Sequence, residues 1–160
     1  MSDLGEVLRQ CMRHWPTGVT VVTSRFGTSR HGMTVNSFAS VSLHPPIVVF
    51  TLAHATRTHD LVSQSGLAGI TILSADQAAL SDRFAGRIAE DGDRFAGLET
   101  FELATGAPLL TGGLAFLDCR VRSSLPLENS TLFLMDVLAA RQGSDKRPLL
   151  YFNRDYHQMP

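Results

Sequence analysis

Residues 31–46 read HGMTVNSFASVSLHPP, and their alternation decides the fold. Met33, Val35, Ala39, Val41 and Leu43 hold odd positions, while Thr34, Asn36, Ser40 and Ser42 hold even ones, the period of two of a β-strand. The polar face, which Phe38 joins, offers hydroxyls and an amide but no charge. Half-buried strands ordinarily turn charges to water, so an uncharged hydrogen-bonding face points to a bound partner rather than to solvent.

The neighbouring stretches carry the strand pattern outward. TGVTVVTS at 17–24 precedes a polar turn at Gly27, and PIVVFTLA at 46–53 is apolar on both faces, as a central strand is. LAGITIL at 67–73 is a further strand. GLAFLDCRVRSS at 113–124 sets Ala115, Leu117, Cys119 and Val121 against Asp118, Arg120 and Arg122, a long strand with one wet face. Its antiparallel partner is TLFLMDVLAA at 131–140, apolar on both sides and in need of cover from a helix or a second subunit. RPLLYFNRDY at 147–156 closes the series. Helices stand around these strands. Leu4, Val7, Leu8, Cys11, Met12 and Trp15 follow helical spacing, Asp3 and Glu6 offer a capping box, and Pro16 stops the helix. Ser74 and Gln77 mark the start of another. DRFAG occurs at 82–86 and again at 93–97, too close for a solenoid repeat, and reads as two loop anchors. Strands without regular βαβ alternation predict a mainly β, antiparallel, closed or nearly closed barrel with peripheral helices, a single domain over 1–160.

Composition limits the function classes. The 160 residues are enough for one sizeable core, and the formal net charge is -1. Thirteen of the fourteen basic residues are arginines scattered without a cluster, which argues against nucleic acid as a partner. No apolar run approaches the roughly 18 residues that cross a bilayer, and no charged-then-apolar leader opens the chain. Cys11 and Cys119 lack metal-ligand spacing and read as two buried thiols in a reducing, cytoplasmic setting. Of six histidines only His54 and His59 are close in sequence, and five apart is wrong for one helical face, so no metal site is expected. Nucleophile elbow, phosphate loop and dinucleotide fingerprint are missing, and no catalytic residue is singled out.

LAHATRTHDL at 52–61 runs from an apolar strand into Thr56, Arg57 and Thr58 and then a helix. Hydroxyls, free backbone N–H groups and a guanidinium at a helix start suit a phosphate. The plainer reading is that Thr56 caps the helix and Arg57 is solvated. Beside the uncharged strand face, the phosphate reading suggests a planar heterocycle with a phosphate tail, of which flavin mononucleotide (FMN) is one.

The run WPTGVTVVT at 15–23, then HGMTVNSFASVSLHPP, ATRTHDL, SDRFAG with a second RFAG, GAPLLTGGLAFLDC at 106–119 and PLLYFNRDY at 148–156 resembles the flavin-reductase-like family, whose fold is the FMN-binding split β-barrel. The resemblance implies a homodimer that binds FMN or FAD and passes hydride to it from NADH or NADPH, with a partner monooxygenase receiving the reduced flavin. It implies that Thr34, Val35, Asn36 and Ser37 lie along the isoalloxazine and ribityl chain. Ser40, Val41 and Ser42 would form a second flavin contact, Thr56, Arg57 and Thr58 the phosphate site, and Phe84 and Arg87 a loop approaching the flavin. Many members carry Gly-Asp-His in the nicotinamide pocket, where this chain has Glu128-Asn129-Ser130. Asn129, Ser130 or His31 would then serve the nicotinamide. The departure keeps a second function open, an FMN carrier or electron-transfer protein without nicotinamide turnover. An FMN-dependent oxidase of small amines fits the motifs less well.

Overall fold

The computed structural model describes residues 3–87 and 92–160. Helix α1 (Leu4–Met12) begins because the Asp3 carboxylate accepts the Gly5 N–H at 3.0 Å, satisfying one donor of the open first turn. Glu6 does not return to complete a capping box; its carboxylate takes Arg9 at 2.6 Å. None of the α1 residues is buried, and Cys11 is exposed where the sequence suggested a buried thiol. The reason is that the described residues leave the apolar stripe of α1 largely uncovered, with Leu4 and Leu8 more than half exposed.

The stretch expected as one strand is two. After β1 (Thr17–Gly18) and β2 (Thr20–Phe26), β3 (Ser29–Val35) ends before Asn36, and β4 (Ala39–Leu43) starts after Phe38. The alternation fails across the break: Val35 is buried, but Val41 and Leu43 are 54% and 74% exposed. Then come β5 (Pro46–Ala53), α2 (Arg57–Ser65), β6 (Leu67–Ile72), a 3-10 turn (Ala75–Gln77) and α3 (Ala78–Phe84). The chain closes with β7 (Thr100–Phe101), β8 (Leu109–Leu110), β9 (Ala115–Pro126), β10 (Ser130–Gln142), β11 (Leu149–Phe152) and β12 (Asp155–Gln158).

Seven strands pair antiparallel in the order β3-β2-β6-β9-β10-β5-β4. In a flat sheet six strand spacings would separate the outer pair by about 29 Å, while the four-residue step from Val35 to Ala39 reaches only about 14 Å. The sheet therefore curls until β3 and β4 approach each other, leaving a barrel split at Asn36, Ser37 and Phe38. β2 is covered on both sides, as its successive valines show. Val22 faces the barrel interior with Phe50, Leu52, Ile70, Phe133 and Met135, whereas Val19 and Val21 face outward onto a second cluster that includes Leu73, Phe84, Phe95 and Leu149. Each fully buried side chain of this size contributes about 1.5–3 kcal/mol.

The DRFAG repeats serve that second cluster. In the first, residues 82–84 end α3 and only Ala85 and Gly86 form a turn; the second is a turn, and Phe84 and Phe95 meet edge to face at 5.2 Å. Arg94 ties them by donating to the carbonyls of Gly32 and Phe84. Apart from the main sheet, β1 pairs β11 and β11 pairs β12, which carries Tyr151 and Tyr156 toward the split. No helix among the described residues is long and apolar enough to cross a membrane.

Candidate functional site

Asn36 sits in the β3–β4 break and lines three cavities. Its side chain is exposed and makes no hydrogen bond among the described residues. The first cavity is walled by Thr34, Ser81, Arg87, Tyr151 and Tyr156. The second runs along β1 to Phe38 and is lined by Thr17, whose hydroxyl is buried without a partner among the described residues. An uncommitted amide and an orphaned hydroxyl on adjoining walls are groups that a polar ligand would satisfy.

Most of the other hydroxyls singled out in the sequence are already engaged. Thr34 donates to the Ser81 carbonyl at 2.6 Å, fastening β3 to α3. Ser37 accepts the Thr51 N–H at 3.0 Å and binds the start of β4 to β5. Thr56 caps α2, accepting the His59 N–H at 3.3 Å, and Arg57 after it is exposed with no ion pair among the described residues. Thr58 is fully buried, 2.9 Å from His31 Nδ1. Thr58 thus faces the interior while Thr56 and Arg57 remain at the open helix end. Burial, followed by the charges of Arg94 and Arg57, lowers the His31 pKa to about 4, so this imidazole is neutral at physiological pH.

Val35 belongs to the barrel core, and Phe84 is fully buried behind the cleft wall rather than on it. Arg87 does reach the wall. It donates to Asp82 at 3.0 Å and lies over the rings of Tyr151 and Tyr156, and the hydrogen bonds to Tyr151 and Asp82 raise its pKa further. Tyr156 completes the network through Ser81 at 2.7 Å, with burial raising its own pKa. Ser40, Val41 and Ser42 lie on β4, with a bulge at Val41 that shifts the register against β5.

Asn129 and Ser130 stand at the tip of the β9–β10 hairpin, with Ser130 opposite Ala53 of β5. They adjoin a cluster that spacing rules missed. The Thr131 hydroxyl lies 3.1 Å from His54 Nε2 and 2.9 Å from His59 Nε2, and the two imidazoles meet edge to face at 5.0 Å. Helical spacing does not apply because His54 precedes α2, in the turn that folds back when its N–H donates to the Asn129 carbonyl. Thr131 has a single hydroxyl proton, so at least one of the two Nε2 atoms must carry a proton of its own. Among the described residues no group of three acidic, histidine or cysteine side chains is placed to hold a metal. Tyr151, Tyr156 and Ser81 were also missed as site residues, although both tyrosines stand in the PLLYFNRDY run; only the pairing of β11 with β1 brings them to Asn36.

Comparison with known proteins places this arrangement among others. The model of a flavin reductase like domain matches residues 12–160. The chain is 34% identical over 155 residues to the NADH-dependent flavin reductase StyB of Pseudomonas fluorescens, covering 95% of this chain and 88% of that protein. It is 35% identical over 157 residues to the reductase component of the FADH(2)-dependent resorcinol hydroxylase of Rhizobium sp. (strain MTP-10005), covering 97% and 87%. Among solved structures, the NADH:FAD oxidoreductase SgcE6 of Streptomyces globisporus C-1027, in complex with NAD and FAD fragments, superposes with a TM-score of 0.89 at 29% identity, over 100% of this chain and 96% of that one.

Proposed function

The chain belongs to the flavin reductase like family, and on that premise we propose that it is the reductase component of a two-component monooxygenase, using NADH to reduce FMN or FAD. Asn36 is the observation that carries the site. A flavin ring presents carbonyl and N–H groups on one edge, and the free amide of Asn36 can both donate to and accept from that edge. The first cavity beside it is lined by hydroxyls, tyrosines and a single guanidinium, a lining that suits a flat, polar, uncharged heterocycle. When bound, the flavin supplies the ring that accepts hydride from the reduced nicotinamide.

The protein's own task is to bind and align. Val35 and Ser37 hold the backbone of the break in place, while Thr34 fixes it to α3. Ser40, Val41 and Ser42 extend the ring contact along β4. Arg57, at the positive end of α2, takes the ribityl phosphate beside the capping Thr56, and Thr58 with His31 supports that turn from within. Phe84 backs the wall on which Arg87 and the tyrosines stand. Asn129 and Ser130, together with His54, border the nicotinamide. Ring stacking requires proximity rather than a proton-moving side chain, so an imidazole at position 130 is dispensable.

A second copy of the chain completes the assembly. Leu4 and Leu8 of α1, Val41 and Leu43 of β4, and Leu138 of β10 are apolar surfaces of the kind a homodimer covers. Cys119 and Cys11 are unpaired thiols, which fits a cytoplasmic setting, and burial pushes the Cys119 thiol up to about 12 and keeps it inert.

The test is anaerobic. FMN or FAD in excess over the protein is mixed with NADH, then NADPH, and the flavin absorbance is followed. Bleaching over many turnovers, faster than without protein, is the expected result with NADH. Flavin that binds but is bleached by neither nucleotide would overturn the reductase reading and leave a flavin carrier.

A further inference from the structure

We propose that the groove between α1 and the β11–β12 hairpin binds the adenosine diphosphate half of a dinucleotide. The biological source of that ligand rests on the flavin-reductase reading; the groove's chemistry does not. Arg9 and Arg13 project from the end of α1 and Arg154 from the hairpin turn, all onto one cavity. Arg9 has a carboxylate partner in Glu6, but among the described residues Arg13 and Arg154 form no ion pair. Arg13 Nε is buried with no partner among the described residues. Guanidinium groups gathered without counter-charge repel one another, and their planar forks match the oxygens of a diphosphate, which would satisfy the charge.

The same wall carries Trp15, 64% exposed although it is the largest apolar side chain in the protein. A flat ring held at the mouth of a cationic groove is a stacking platform for a purine base. The geometry is tied in place, because the Asn153 N–H donates to the Arg13 carbonyl at 3.1 Å and joins the hairpin turn to the helix end. Asn36 and Tyr151 line both this groove and the flavin cleft, so one ligand can run from one into the other. FAD and NADH share the adenosine diphosphate half; FMN lacks it.

Trp15 is the only tryptophan, and its fluorescence reports on the groove without any flavin present. Titration of the flavin-free protein with ADP is expected to give a saturable change. Adenosine or inorganic phosphate should need far higher concentrations, and Arg13→Ala should weaken the ADP response about tenfold. Arg154→Gly serves as the second variant and should weaken it similarly. Glycine accepts the left-handed backbone at that position (φ 66°), so the variant keeps the turn. No saturable change with ADP, or equal responses in wild type and both variants, overturns the proposal. FMN binding measured in the same sample separates the two readings: if FMN binds and ADP does not, the groove assignment alone falls, and if neither binds, both fall.

Steady-state kinetics of Arg154→Gly then distinguish the sources. A raised KM for NADH with FMN as acceptor assigns the groove to the donor. A raised KM for FAD with that for NADH unchanged assigns it to the flavin tail and moves the ribityl phosphate, which is part of the FAD diphosphate, from Arg57 to this groove. No change in either overturns the dinucleotide assignment.

Discussion

Asn36 shows what a residue type does and does not reveal. The sequence names a row of hydrogen-bonding side chains between 34 and 58, yet Thr34, Ser37, Thr56 and Thr58 are bonded within the protein and Asn36 is left free. Donor chemistry is legible in a sequence, but whether a donor is already engaged depends on its neighbours in space. Asn36→Ala should therefore weaken flavin affinity about tenfold, the worth of one hydrogen bond, and shift unfolding free energy by less than about 0.5 kcal/mol because the side chain is exposed. Flavin fluorescence titration and urea unfolding measure the two; equal affinity would remove Asn36 from the site. His31 makes the opposite prediction. Its folded pKa of about 4 lies below the unfolded 6.5, so the unfolded chain takes up a proton first as pH falls. The stability that neutral His31 allows is complete above pH 6.5 and declines between 6.5 and 4, by at most about 3 kcal/mol. His31→Gln should flatten the difference between urea midpoints at pH 7 and pH 4.5. An unchanged difference would mean that other groups carry the acid sensitivity.

Elements were read best where one physical signal was strong. β5, β6, β9 and β10 fall where alternation and apolar runs put them, since a strand's pattern is local. The Ser74–Gln77 capping box forms as read, though it opens a 3-10 turn before α3. The failure at 36–38 is also physical: alternation can continue through a break in pairing, because side chains keep their order even when the strand changes partners. Close backbone approach is equally invisible in a sequence. A Cβ on Gly143 would run into the Gly113 carbonyl oxygen and lie 2.8 Å from Phe116, where the end of β10 crosses the approach to β9. Backbone cannot yield as a flexible side chain does, so Gly143→Ala should destabilise by about 1–3 kcal/mol in urea unfolding. A change within error would show that the crossing can shift.

On the scale of the molecule, the apolar surfaces of α1, β4 and β10 predict a dimer in sedimentation at micromolar concentration, and Leu138→Glu should shift it toward monomer. A wild-type monomer under those conditions would leave these surfaces to some other cover. The barrel itself follows from a length argument, a three-residue break joining the two outer strands of a seven-stranded order. By itself the sequence determined the antiparallel β class, most strand positions, the peripheral helices and the family, since each is written in local periodicity or in the order of motifs along the chain. Only the tertiary structure decided that Asn36 is free while its neighbours are engaged, that His54 and His59 share Thr131, and that Trp15 and three arginines line one groove. Those facts depend on contacts between residues far apart in sequence, which local pattern does not encode and the curling of the sheet alone brings about.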